Sequence, residues 1–321
     1  MTVEPVSAFV PLAATSRSGF DESVHWGAAV VAAPDGSVVR AVGDPTVVVY
    51  PRSALKPVQA DAMVVAGLEL EPELLALVGA SHDGAPRHVE GVRRILSSVG
   101  LDEQALQTTP ALPFDPDEAS AVLRSGGGPR PVTMNCSGKH AGMLATCVTA
   151  GWPTDGHLDA GHPLQRHITA SVATALGPVA HVGLDGCGAP THAVSLVGLA
   201  TGIGRLAAGG GAVYRAMTDH PELVGGPTRP VTRFMRGVTG LLAKDGAEGL
   251  FVAALPDGGA LAVKVADGSS RAVPPVVLVL LPLLGVPVEV LEHLAPSVEQ
   301  HVLGHGRPVG VVRALIDHTG S

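Results

Sequence analysis

An α+β fold, an α/β sandwich in which helices cover one antiparallel sheet, is predicted by three features of this 321-residue sequence. Residues 24–33 and 37–42 are rich in Val and Ala and flank the turn signal Pro34-Asp35-Gly36. Residues 250–255 and 260–265 do the same around Pro256-Asp257-Gly258-Gly259. Between these two hairpins the apolar spacing is helical. Strands that arrive as hairpins disfavour an alternating βαβ sheet, so one sheet drawing on both ends of the chain is the economical solution.

In order, residues 17–23 read as a loop before the first hairpin, and a helix starts at Ser53. After Lys56 the sequence is apolar nearly all round, as a core helix is. Residues 87–99, 117–124, 137–149, 163–176, 192–207, 214–220 and 231–243 read as helices, with Gly209-Gly210-Gly211 a turn. Lys244-Asp245-Gly246 reads as a polar loop. A helix over 273–284 and a strand over 310–315 close the chain. No repeat period appears. The expectation is a single domain over 1–321, its sheet part from 1–85 and 245–321 and a mostly helical part from 86–244.

Hydrophobic residues make up 46% of the chain and aromatic ones 3%, so the core must be built from Val, Leu and Ala. A net charge of −8 argues against nucleic acid and anionic membranes as partners. The start, Met1-Thr2-Val3-Glu4-Pro5, lacks a basic signal-peptide region. The longest apolar run, 276–286, is too short to span a bilayer and contains Pro282. A cytoplasmic protein is expected. Three cysteines, Cys136, Cys147 and Cys187, make an odd set that suits free thiols or a metal site better than a disulfide framework. Cys147, amid Leu144, Ala145 and Val148, reads as core.

Four lysines, Lys56, Lys139, Lys244 and Lys264, stand against seventeen arginines. Lysine can work as a neutral amine, which arginine cannot. Ser53 and Lys56 are three apart, so a helix places both on one face. A base beside a serine hydroxyl makes it a nucleophile, and free N–H groups at a helix start can hold an oxyanion. With Ser81 in the loop Ser81-His82-Asp83-Gly84 and Lys264 on a late strand, the set has the form used by serine β-lactamases and penicillin-binding proteins. On spacing alone it is equally four unrelated residues, with Lys264 a charge on an edge strand.

A second group is Asn135-Cys136-Ser137-Gly138-Lys139-His140 with Asp185-Gly186-Cys187-Gly188. Two thiolates and another donor suit Zn²⁺, but lysine is an unusual ligand, and buried free cysteines are common. Arg52 suits a substrate carboxylate and Asp185 a substrate ammonium; a surface ion pair and a turn former are the plainer readings. Glu22, His25, His82 and Arg229 are weaker candidates.

These strings, with Arg17-Ser18-Gly19-Phe20-Asp21-Glu22-Ser23-Val24-His25, Arg52-Ser53-Ala54-Leu55-Lys56-Pro57, Ala80-Ser81-His82 and His220-Pro221-Glu222-Leu223-Val224, resemble the rhizobial-type, or asparaginase II, family of L-asparaginases. The resemblance runs in family order from about residue 17 to 265. It implies a serine β-lactamase-like fold, a homodimer, and hydrolysis of L-asparagine to L-aspartate and ammonia. It implies that Ser53–Lys56 and Ser81–Lys264 are two Ser-Lys tandems. Cys136, Lys139 and Cys187 would be the ligands of a zinc ion, with Asp185 beside it. The match for Lys264 rests on the short string 262–268. No Thr-Gly-Gly-Thr string or Gly-Thr dipeptide points to the other asparaginase types.

The expected chemistry is acyl transfer through a serine ester. A β-lactam or peptide hydrolase on the same fold is an alternative, although Lys264 is followed by Val265-Ala266 rather than Thr-Gly. A non-catalytic amino-acid or zinc sensor is the other.

Overall fold

The computed structural model describes residues 8–317. The chain begins with β1 (Val10–Arg17), β2 (Phe20–Ala32), β3 (Val38–Val42) and β4 (Val48–Val49). Six helices follow: α1 (Lys56–Val65), α2 (Pro72–Val78), α3 (Pro86–Ser97), α4 (Pro116–Arg124), α5 (Ser137–Thr149) and α6 (Pro163–Leu176). The hairpin of β5 (His181–Leu184) and β6 (Pro190–Ser195) leads into α7 (Leu196–Ala208), α8 (Ala212–Asp219), α9 (Pro221–Val224) and α10 (Pro230–Gly237). Then come β7 (Leu242–Gly246), β8 (Leu250–Ala254), β9 (Ala260–Val265), α11 (Val273–Leu280), α12 (Val288–Val298), β10 (His301–Gly304) and β11 (Arg307–Ala314). Proline opens α2, α3, α4 and α6, where its missing N–H is no loss and its fixed φ suits the first turn.

Two compact units divide these elements. One holds the chain up to Ala54, Val194–Gly209 and Arg233 onward; the other holds Leu55–Ala193 and Gly210–Thr232. The boundary falls inside the helical run that carries Ser53 and Lys56, and residues 55–85 group with the helical unit.

In the first unit the sheet order is β10-β11-β1-β2-β9-β8-β7, with β3 also on β2. Both ends of the chain therefore meet in mid-sheet, β1 lying between β11 and β2, all antiparallel. The 13-residue β2 pairs with β1 through Phe20–Gly27 and with β3 through Ala29–Ala32, while β9 runs along its other edge. Every residue of β8 is buried, so both faces of the sheet are covered there. Helix α7 packs on β2, β8 and β9, and α11 on β1, β9 and β11. Small residues such as Ala28, Ala29, Ala253 and Ala262 are fully buried and let helices approach closely. One aromatic pair, Phe234 on Phe251 edge to face at 5.6 Å, supplies bulk.

In the second unit α5 is buried from Ser137 to Cys147 and packs against α1, α2, α3 and α6. Cys147 is core, as expected. Among the described residues no single helix is long and apolar enough to cross a membrane.

Several elements differ from the sequence reading. Residues 17–23 are not a loop: only Ser18-Gly19 turns, and β2 already starts at Phe20. Its polar start is exposed, which hides the strand from a hydrophobic pattern. The helix expected over 192–207 begins only at Leu196, because Ser195 caps it through the N–H of Gly198 and Pro190–Ala193 pairs with β5. Lys244 lies on β7 rather than in a polar loop, fully buried, with its amine on the Asp245 carboxylate and carbonyl. Strands β1, β4, β5 and β10 and helix α12 carry no alternation strong enough to mark them.

Candidate active site

The turn that presents Ser53 is built on an unusual backbone. Arg52 has φ +52°, a left-handed conformation rare outside glycine. The chain then makes a 3-10 turn over Arg52–Leu55, closed by Ala54 N–H to the Pro51 carbonyl at 3.0 Å, and continues into α1. The end of β7 lies under this turn: a Cβ on Gly246 would stand 2.5 Å from the Pro51 oxygen and 3.2 Å from the Ala54 nitrogen. Glycine is what allows the turn to lie that close to the sheet. Ser53 and Arg52 are both half-buried.

Lys56, on the next turn, is 1% exposed. Its Nζ donates to the Ala80 carbonyl, lies 3.0 Å from Ser81 Oγ and 3.1 Å from Cys136 Sγ. Ser81 is buried in the loop after α2. Next to it His82 accepts the Gly84 N–H at Nδ1, so its proton sits on Nε2, which donates to Ser137 Oγ at 2.9 Å. Ser137 Oγ in turn donates to the Val132 carbonyl. Burial holds the His82 pKa well below the ordinary histidine value, so the ring is neutral. Thus His82, weighed in the sequence as a substrate holder, bolts the Ser81 loop to the start of α5.

The start of α5 also carries Cys136 and Lys139. The β5–β6 turn brings Cys187 and Asp185 to it. Asp185 Oδ1 accepts the Gly186 N–H at 2.6 Å, and Cys187 Sγ lies 3.3 Å from Lys139 Nζ. Cys136 and Cys187 share a hydrogen bond. The hydrogen bond from Cys136 and the charge of Lys139 draw the Cys187 thiol down to about 5, a thiolate. The same bond, together with burial, pushes Cys136 up to about 12. Lys139 is held above its ordinary value by the sulfurs and Asp185, against its burial. The two sulfurs are donors that zinc takes, and the Lys139 amine beside Cys187 is the third group at hand, outside zinc's usual donors. Among the described residues no three His, Cys, Asp or Glu side chains are grouped to hold a metal, so lysine would have to complete the set.

Lys264 projects from β9, opposite Ala28 on one neighbour and Leu250 on the other. Its Nζ donates to the carbonyls of Glu248 and Val265, and burial lowers its pKa. The structure therefore places Lys56, Ser81, Cys136, Lys139, Asp185 and Cys187 in the helical unit, and Arg52, Ser53 and Lys264 in the sheet unit. The remaining candidates have structural partners. Glu22 pairs with Arg17, and His25 is buried between Asp267, at 2.6 Å, and Arg271. Asp267 was not singled out by sequence, although it stands three residues after Lys264 in the string that located that lysine.

The helical unit thus holds one buried lysine on a serine hydroxyl and a second beside the sulfur of Cys187. The sequence model of the L-asparaginase II family matches residues 13–314, nearly the whole described chain, and the protein belongs to that family. The family is one of asparaginase-type hydrolases, whose substrates are small molecules. No curated protein matches the sequence. Among solved structures, a β-lactamase from Mycobacterium bovis is similar at 16% identity and a TM-score of 0.41, covering 81% of this chain and 95% of its own.

Proposed function

We propose that this protein hydrolyses L-asparagine to L-aspartate and ammonia through a serine ester whose formation depends on Lys56. The observation that carries the proposal is the Lys56 amine. It is buried, three residues after Ser53 on one helical run, and 3.0 Å from the Ser81 hydroxyl. An amine placed beside a hydroxyl can act as its base.

Ser53 Oγ attacks the side-chain amide carbon and its proton passes to Lys56. The C–N bond breaks as the nitrogen takes the proton that Lys56 gained, relayed by Ser81, and ammonia leaves with Lys56 again neutral. Lys264 would be the second amine, the role that the family resemblance implies for it. Water then attacks the β-aspartyl ester, Lys56 accepts its proton, and Ser53 regains its hydroxyl hydrogen as aspartate departs. Backbone N–H groups beside the nucleophile would stabilise the tetrahedral oxyanion. Arg52 would hold the α-carboxylate and Asp185 the α-ammonium.

Cys136, Lys139 and Cys187 would hold Zn²⁺, and the bound ion would supply Lewis acidity for orienting the substrate. Lys139 would give up its proton on binding, and Cys136 likewise.

A second reading exchanges the serines. The 3.0 Å contact favours Ser81 as the hydroxyl that Lys56 deprotonates, with Ser53 as the relay. Ammonia release from asparagine and glutamine, and the colour change of a chromogenic β-lactam, assayed with the wild type and with Ser53→Ala and Ser81→Ala, test the proposal. Asparagine should be the preferred substrate and neither variant should turn over. Full activity in Ser53→Ala would remove Ser53 from the role of nucleophile.

A further inference from the structure

The loop that carries Ser81 is gripped from one direction by residues 224–229. The Ser81 N–H donates to the Val224 carbonyl at 2.9 Å, and the Ser81 carbonyl accepts Arg229 Nη1 at 2.7 Å. Both backbone groups of one residue are therefore held by residues 224–229. Arg229 also lies 3.5 Å from the buried carboxylate of Asp83 and stacks over the Phe114 ring at 4.7 Å. Gly226 meets Asp83 directly: a Cβ there would fall 1.5 Å from Asp83 Oδ2, so no other residue fits. Beyond the loop, His88 Nε2 bonds the Glu222 carbonyl, and the His88 ring stacks on His82. All of these residues lie in the helical unit.

The consequence is geometric. Lys56 Nζ meets both the Ala80 carbonyl and Ser81 Oγ, so the direction of the Ser81 peptide determines whether the hydroxyl reaches the amine. Within its present rotamer, Ser81 Oγ leaves the amine only if the backbone moves, and that requires the N–H and C=O bonds to give way. A guanidinium fixed at once by Asp83 and a ring face is a rigid partner for that carbonyl, more so than a flexible ammonium would be.

We propose that Arg229 is a positioning residue for the reaction: it sets the Ser81 backbone so that Oγ meets Lys56. It acts through Ser81 and does not contact substrate. This inference rests on the reading in which Ser81 takes part in proton transfer.

Two measurements on Arg229→Gln separate the two ideas. The first is amide hydrogen exchange of residues 81–84, which does not depend on turnover. Positioning predicts exchange about tenfold or more faster than in the wild type, with α6 exchange unchanged. The second is steady-state kinetics with asparagine. Positioning predicts kcat lower by about 10²-fold with KM within about threefold, and partial recovery in Arg229→Lys. Unchanged exchange in the loop overturns the clamp whatever the activity. Raised KM with unchanged kcat overturns it in favour of substrate binding. If Arg229→Gln does not fold, Arg229→Lys carries both measurements, with smaller changes of the same sign. Ser81→Ala is the control on the underlying reading. Wild-type kcat in Ser81→Ala defeats the role of Ser81, while the exchange result still decides the clamp.

Discussion

Lys56 Nζ stands 3.0 Å from Ser81 Oγ, although the two residues are 25 positions apart. Three elements make this contact. The turn at Pro51–Ala54 starts the helical run of Lys56, the loop after α2 brings Ser81, and the start of α5 brings Cys136 to the same amine. Removing the amine should therefore affect chemistry more than folding.

Lys56→Met should abolish ammonia release, with kcat down by at least about 10³-fold, in the range seen when a catalytic base is lost. The Ala80 carbonyl then lacks its donor, so unfolding free energy should fall by about 1–3 kcal/mol. Lys56→Arg should not restore turnover, because a guanidinium does not release its proton. An ammonia assay and a denaturant titration check both.

Gly246→Ala should move the Ser53 turn. The added methyl would meet backbone at 2.5 Å, which no side-chain rearrangement relieves. A stability loss of about 1–3 kcal/mol is expected, together with a fall in kcat larger than any change in KM. Denaturant melts and steady-state kinetics measure the two effects.

Zinc should bind with loss of protons and should depend on both sulfurs. Cys187→Ser and Cys136→Ser should each weaken zinc binding at pH 7 by at least about tenfold, by metal competition titration. Chelation of the zinc-loaded enzyme should raise the KM for asparagine while kcat stays within a few-fold, because the ion orients substrate and the serine remains the nucleophile.

Acid should destabilise the fold through buried neutral histidines. Burial holds His88 at about 4, against the favourable bond to the Glu222 carbonyl, and His192 also at about 4. Each takes up its proton near 6.5 when unfolded. The unfolded chain therefore binds more protons between these values. The contribution is whole above about pH 6.5 and is lost as pH falls toward 4, with an upper bound near 3 kcal/mol per ring. Melting temperature should drop across that window, and His88→Gln should make the drop shallower.

The sheet was legible where turn chemistry and β-branched runs coincide. Pro34-Asp35-Gly36 and Pro256-Asp257-Gly258-Gly259 located β2, β3, β8 and β9, and α5 and α6 were read to their ends. The start of β2 was hidden because polar, exposed residues fill it, and β1 because its buried run Leu12–Thr15 does not alternate. Lys244 was misplaced because Asp245 and Gly246 look like a turn, whereas Asp245 is the partner that lets the lysine be buried. For the candidate site, the quoted strings contain Ala80, Ser81 and Cys136, the three residues on the Lys56 amine, but the Ala80 contact is made by a backbone carbonyl, which carries no sequence signal. Arg229 was noticed, but its attachment to the Ser81 carbonyl is a tertiary contact between residues 148 apart. Spacing cannot reveal a contact of that kind.

The most direct test is to find the ester. Enzyme quenched in acid during turnover of asparagine, digested and mapped by mass spectrometry, should carry a β-aspartyl group on Ser53, and Lys56→Met treated alike should carry none. An ester on Ser81 would exchange the two serines. Turnover with no protein-bound aspartyl group at all would contradict the covalent mechanism itself.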